Sequence, residues 1–88
     1  MRELDWSDAK NVANRHKHGI GFEAAKRFDW VTADFQVDDR EDYGELRECA
    51  TGFIGDVLYV LIYTERDDVT WIISLRKANN KERNHYKR

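Results

Sequence analysis

Val57-Leu58-Tyr59-Val60-Leu61-Ile62-Tyr63, seven consecutive apolar residues, decides the architecture. The run is far too short to span a bilayer, and its β-branched and aromatic content reads as a strand covered on both faces. On its N-terminal side, Ile54-Gly55-Asp56 is a hairpin turn signal joining it to a strand over 46–53. On its C-terminal side, Glu65-Arg66-Asp67-Asp68 forms a turn into a strand over 69–75. Further out, Val31, Ala33, Phe35 and Val37 alternate with Thr32, Asp34 and Gln36, which predicts a half-buried strand over 31–37 followed by an exposed acidic loop at 38–45. The connections are short, so these neighbours run antiparallel.

Helices are expected on either side of this meander. Ser7 stands where it would cap a helix whose inner stripe is Ala9, Val12, Ala13 and His16, and Gly19 supplies a left-handed stop. Phe22, Ala25 and Phe28 place a second short helix directly after it, and residues 4–6 read as a short strand before the first. Asn79 followed by Glu82 is a capping box that opens a terminal helix over 79–87. The expected fold is α+β in one domain over 1–88. Two N-terminal helices pack on a four-stranded antiparallel sheet, with an extra short N-terminal strand and a C-terminal helix, and one sheet face stays at least partly open for function.

Composition narrows the classes. A chain of 88 residues with 36% charged groups has a spare core. The single Cys49 excludes an internal disulfide, a CxxC redox pair and a cysteine-based zinc site, which fits a reducing cytoplasm. The first six residues, Met1 to Trp6, have no signal-peptide character, and a soluble protein without a membrane partner is expected. The formal net charge of −2 conceals strong polarity: residues 1–28 carry +2, 29–48 carry −6, 49–74 carry −3 and 75–88 carry +5. The basic end is suited to phosphates and the acidic segment to a basic partner.

The basic end supplies the sharpest chemical candidate. Ser74-Leu75-Arg76-Lys77-Ala78 leads into a helix carrying Lys81, Arg83, Lys87 and Arg88. RNA cleavage without a metal requires a proton acceptor for the 2′-hydroxyl, a proton for the leaving 5′-oxygen and positive charge beside the phosphorane. Arg76 suits bidentate phosphate contact and Lys77 a point-charge contact; Arg47 and Arg66 could join them, or could simply pair with Glu45, Glu48, Glu65 or Asp67. A solvated basic helix without chemistry accounts for the same composition. His16 and His18, two apart on a helix, cannot chelate as a pair; His16 lies on the expected apolar stripe, and His18 at the helix end is the better functional candidate. His85 could exchange protons near the basic patch. The stretch 38–44 fails as a calcium loop because Arg40 or Tyr43 falls at a ligand position. Neither a metal nor a cofactor is expected. Trp6 and Trp30 read as core anchors, and Trp71 shares an expected strand face with Val69, Ile73 and Leu75.

Trp6-Ser7-Asp8-Ala9-Lys10, Asn14, Lys17-His18-Gly19 and Phe22-Glu23-Ala24-Ala25 together form an ordered N-terminal signature. Gly44-Glu45-Leu46-Arg47, Gly52, Thr64-Glu65-Arg66, Ile72-Ile73-Ser74-Leu75-Arg76-Lys77-Ala78, Glu82-Arg83 and Tyr86 continue it. In this order and spacing the chain resembles the BrnT toxins over almost its whole length. The resemblance implies a RelE-like fold and a type II toxin that cleaves RNA and inhibits translation. It further implies neutralisation, in a hetero-oligomer, by a BrnA-like antitoxin that alone contacts operator DNA. It assigns Arg47, Arg66, Arg76 and Lys77 to the catalytic surface, with Lys17, His18, Lys81, Arg83 and Tyr86 as supporting RNA contacts. Where relatives often carry a basic residue just before the IIS block, this chain has Trp71, and a catalytically degenerate module that binds antitoxin or RNA without cleavage is the alternative.

Overall fold

The computed structural model describes residues 2–86. Its elements are β1 (Glu3–Trp6), α1 (Asp8–His18), a 3-10 helix (Phe22–Arg27), β2 (Asp34–Val37), β3 (Glu48–Ile54), β4 (Val57–Arg66), β5 (Val69–Lys77) and α2 (Asn80–Tyr86). The strands form one sheet in the order β1-β5-β4-β3-β2. The antiparallel meander β2-β3-β4-β5 is as expected, with the apolar run of β4 at its centre. Gly55 (φ 61°) turns the β3-β4 hairpin, and Asp67 (φ 51°) and Asp68 (φ 66°) turn the next, both left-handed as tight hairpins require.

The structure corrects the expected layout in several places. The sheet is five-stranded and mixed, because β1 is a full member that pairs in parallel with β5 from Glu3↔Val69 to Trp6↔Ile72. A three-residue alternation carries no information about its partner, so direction was not readable from it. The second helix is a 3-10 helix. β2 starts at Asp34, and of the expected apolar face Ala33 packs against the core while the others stay exposed: Val31 93%, Val37 57% and Phe35 46%. Residue 87, expected in the last helix, lies outside the described residues.

The largest departure lies in α1. Its buried residues are Asn11 and Asn14, while Val12 is 51% exposed and Ala9, Ala13 and His16 face solvent. The inner stripe is therefore polar, and each amide has specific work. Asn14 Nδ2 donates to Leu75 O (2.8 Å) and Ile20 O (3.0 Å), and its Oδ1 accepts from Leu75 N (3.2 Å). Asn11 Oδ1 accepts from Phe22 N (2.8 Å), and its Nδ2 donates to Glu23 (3.1 Å). The outer edge of β5 is thus covered by β1 along Val69–Ile72 and by one side-chain amide at Leu75.

These anchors seat α1 and the 3-10 helix over one face of the sheet, where Phe22, Ala25, Phe28, Leu61, Tyr63, Ile72 and Leu75 are buried. Trp6 meets Phe22 edge-on, and Trp30 meets Phe28 and Tyr63 edge-on, so both indoles are core anchors as read. Gly52 has no Cβ because Phe28 Cζ and the Asp29 carbonyl lie 2.8 and 3.1 Å from where one would stand. The second face carries a smaller cluster of Leu58, Val60, Ile62 and Ala78 beneath α2. No described helix is long and apolar enough to cross a membrane.

Replacing Asn14 by Ala strands a buried donor and a buried acceptor on Leu75, and each unsatisfied group costs about 1–3 kcal/mol. Urea unfolding should show Asn14→Ala losing at least about 2 kcal/mol, and Val12→Ala, on the outer side of the same helix, less than about 0.5 kcal/mol. Equal losses would mean that α1 docks by its apolar residues after all.

Candidate active site

A β-bulge decides which side chains reach the second face. Ile62 pairs with Ser74 but Tyr63 pairs with Ile72, so Ile73 is an extra residue in β5. The insertion lets Ile72 and Leu75 both enter the core, and it sends Trp71, Ser74 and Arg76 to the opposite face. Trp71 therefore does not share a face with Leu75, as strict alternation had it.

Arg47, Arg66 and Arg76 all fall on this second face, whereas Lys77, one residue past Arg76 and opposite Tyr59, points to the other side and is exposed. The four residues do not form one centre. Continuing the β3-β4 register puts Arg47 opposite Thr64, two positions from Arg66, whereas Val60, the partner of Arg76, lies six positions from Arg66 along β4. At about 3.3 Å per residue this puts the two groups roughly 15–20 Å apart.

The first group is built around a carboxylate. Arg66 donates through Nε (3.3 Å) and Nη2 (2.9 Å) to Glu45 Oε1. Arg47 Nε lies 3.6 Å from Glu45 Oε2, too long for a hydrogen bond, and is a buried polar atom without a hydrogen-bond partner among the described residues. The guanidinium of Arg47 sits 3.9 Å above the Tyr43 ring, and that of Arg66 lies 5.3 Å from the Trp71 ring. Hydrogen bonding from Arg66, reinforced by the charges of both arginines, holds the Glu45 carboxyl below its usual pKa. The arrangement is an ionised carboxylate between two aromatic-backed guanidinium groups, with Arg47 Nε in an ion pair but without a hydrogen bond among the described residues. Of the carboxylates that the sequence offered as partners for the two arginines, the structure pairs both with Glu45.

The second group sits at the root of α2. Asn79 caps that helix as expected: Asn79 Oδ1 accepts from Glu82 N (2.8 Å) and Asn79 N donates to Glu82 Oε1 (2.9 Å). The same Glu82 receives both arms of Arg76, each at 2.8 Å. Arg76 is therefore a bound cation, and its hydrogen bonds hold the Glu82 carboxyl below its usual value of 4.5. Lys81, His85 and Tyr86 line a cleft of about 490 Å³ between α2 and the β2-β3 strands, together with Gln36, Cys49 and Thr51. Tyr86 has a structural part as well, donating to Thr32 O (2.7 Å) and packing its ring edge-on against Phe53. Arg83 donates to Ala78 O (2.8 Å) and to Asn80 Oδ1. Burial raises the Cys49 thiol pKa, so this cysteine is a poor nucleophile.

Lys17 and His18, at the C-terminal end of α1, open onto a shallow depression shared with Ile73 and Ser74. Burial, then the charges of Lys17 and Arg76, lower the His18 pKa from 6.5 and keep the ring neutral at neutral pH. This places His18 in the field of the second group, through space rather than by a hydrogen bond.

The chain is similar to the family described as the ribonuclease toxin BrnT of type II toxin-antitoxin systems over residues 6–82. Among solved structures it is similar to the ribonuclease toxin BrnT of Brucella abortus, with 23% identity and a TM-score of 0.68, covering 91% of this chain and 100% of that one. At that identity the likeness speaks for the fold. No curated protein matches the chain.

Because Glu82's folded pKa is depressed, the stabilisation from its pairing is present above the usual 4.5 and is lost as pH falls through the folded value. A ¹³C NMR titration should find the Glu82 carboxyl titrating below 4.5 in the native protein and returning toward 4.5 in Arg76→Ala. A native value at or above 4.5 would mean that the Arg76–Glu82 pair does not persist in solution.

Proposed function

The chain belongs to the BrnT family of ribonuclease toxins of type II toxin-antitoxin systems, and we propose that it is a metal-independent endoribonuclease that inhibits translation by cutting RNA in the cytoplasm. In this reading it acts as one domain of RelE-like fold, held in check by a cognate BrnA-like antitoxin in a hetero-oligomer and reaching operator DNA only through that partner. The observation that carries the enzymatic reading is the Glu45–Arg47–Arg66 cluster, with the Nε of Arg47, which makes no hydrogen bond among the described residues, beside the less occupied oxygen of Glu45.

A phosphate oxygen would meet the partly exposed guanidinium of Arg47, and Arg66 would turn from Glu45 to a second phosphate oxygen. Glu45 Oε2 then accepts the 2′-hydroxyl proton as the 2′-oxygen bonds to phosphorus. The P–O5′ bond breaks, its electron pair going to the 5′-oxygen, which takes a proton from water. The products are a 2′,3′-cyclic phosphate and a 5′-hydroxyl end. Both guanidinium groups oppose the charge that builds on the phosphorane, where preorganised donors act most strongly. Arg76, with Lys81, Lys17 and the neutral His18, would hold the strand several nucleotides away. Lys77, on the other side of the sheet, contributes long-range attraction, and Arg83 and Tyr86 chiefly hold α2.

One observation favours the alternative of an interaction module without catalysis: Arg76, the centre of the sequence signature, is engaged through both arms by Glu82. The variants separate the two readings. Purified wild type should cut naked or ribosome-bound RNA and leave cyclic-phosphate ends, and Glu45→Gln should lose about 10²–10⁴ in kcat with RNA affinity retained, the usual worth of a general base. The acidic limb of the wild-type kcat/KM profile, which reports the free enzyme with Arg66 still on Glu45, should fall below the ordinary glutamate range. Well-folded wild type that binds RNA and neither cuts it nor arrests translation would establish the module instead.

A further inference from the structure

β2 ends the sheet, so among the described residues one side of its backbone has no strand beside it. The ladder phase tells which groups point outward. Asp38 N donates to Arg47 O (2.8 Å), which makes Asp38/Arg47 a hydrogen-bonded pair. By alternation, Gln36/Cys49 and Asp34/Thr51 are also hydrogen-bonded pairs, and Phe35/Ala50 and Val37/Glu48 are not. The N–H and C=O groups of Phe35 and Val37 therefore face away from β3. These are also the residues whose apolar side chains stand 46% and 57% exposed; Val31 (93%) before β2 and Leu46 (64%) before β3 are exposed as well. Trp30 stacks on Phe35 with centroids 6.3 Å apart and planes 14° apart, extending the apolar surface inward.

Natural sheets blunt such edges with lysine, proline or bulges. β1, at the opposite end, follows the rule in part with its exposed Glu3 and Asp5. β2 has neither lysine nor proline and its register with β3 is unbroken. Charge lies beside it instead: residues 29–48 carry a net −6, with exposed Asp39, Glu41 and Asp42 just beyond the Val37 end. Two copies joined antiparallel through β2 would set the acidic end of each beside the Asp34 end of the other, with no lysine or arginine in either strand to meet it. A strand with apolar residues at alternate positions and lysine or arginine at its end would meet all three features.

We propose that the β2 edge is the docking site of the antitoxin, which adds one strand of alternating apolar residues ending in a basic cluster that faces Asp39, Glu41 and Asp42. The identity of the partner rests on the toxin reading given above; the location and chemistry of the contact rest on β2 alone. Main-chain hydrogen bonds to Phe35 and Val37 would supply affinity, and the apolar and acidic surfaces would select the sequence.

The test uses the full chain and the protein encoded by the adjacent reading frame, co-expressed and then titrated calorimetrically. Val37→Pro removes an outward N–H that the ladder does not use, and Phe35→Lys removes the apolar contact; each should weaken binding at least tenfold and leave RNA cleavage by the free toxin unchanged. Asp39→Lys with Glu41→Lys should also weaken it. In the wild-type complex, the Phe35 and Val37 amides should gain protection from hydrogen exchange, a readout that needs no variant to fold. Wild-type affinity in the edge variants, without protection at these amides, would overturn the docking site alone. A β2-mediated dimer of this chain would overturn the choice of occupant, and failure of wild type to form any complex would overturn the partner reading and this inference together.

Discussion

The amide of Asn14 lying against the backbone of Leu75 is the interaction on which the rest of the structure depends. It takes the place of a missing strand, offering one donor and one acceptor to β5 where β1 has ended. Its partner on the same helix face, Asn11, fixes the first turn of the 3-10 helix through Phe22 N. With these contacts made, α1 has one orientation on the sheet, Phe22 and Phe28 come down on the core, and the end of the helix brings Lys17 and His18 to Ser74. Buried hydrogen-bonded amides suit this task better than apolar residues would, because they specify position as well as contact.

On the opposite face, every candidate arginine is held by a carboxylate of the same chain: Arg66 by Glu45, Arg47 beside it, and Arg76 by Glu82. Arg66 is half exposed, and a pair of that kind contributes little to stability, while the other two pairs are partly buried. Their effect is on geometry, since each keeps a long, flexible side chain close to one place. A polyanion entering this face exchanges partners with groups already aligned, so less side-chain freedom remains to be lost on binding.

The architecture was legible wherever burial and polarity agree along the chain. The apolar run of β4, the turns at Gly55 and Asp67-Asp68, and the Asn79/Glu82 box all stand where the pattern puts them. Reading failed where they part company. Asn11 and Asn14 are polar and buried, so the α1 stripe was placed on Val12 and His16; Phe35 and Val37 are apolar and exposed, so β2 was taken into the core. The candidate site was legible as residue types but not as a layout. Nothing in the one-dimensional order reveals that Ile73 is bulged, and hence that Arg76 takes the second face and Lys77 the other.

That bulge also governs how a chain of this fold can change its length. β5 has no slack: losing one residue between Ile72 and Leu75 would restore strict alternation and turn Arg76 toward the core while Lys77 took its place outside. The same loss in the exposed turns around Asp39 to Asp42 would leave every ladder intact. Over evolutionary time, insertions and deletions should therefore accumulate between β2 and β3 and be purged from β5, so that gaps in the lineage record the architecture as clearly as substitutions do.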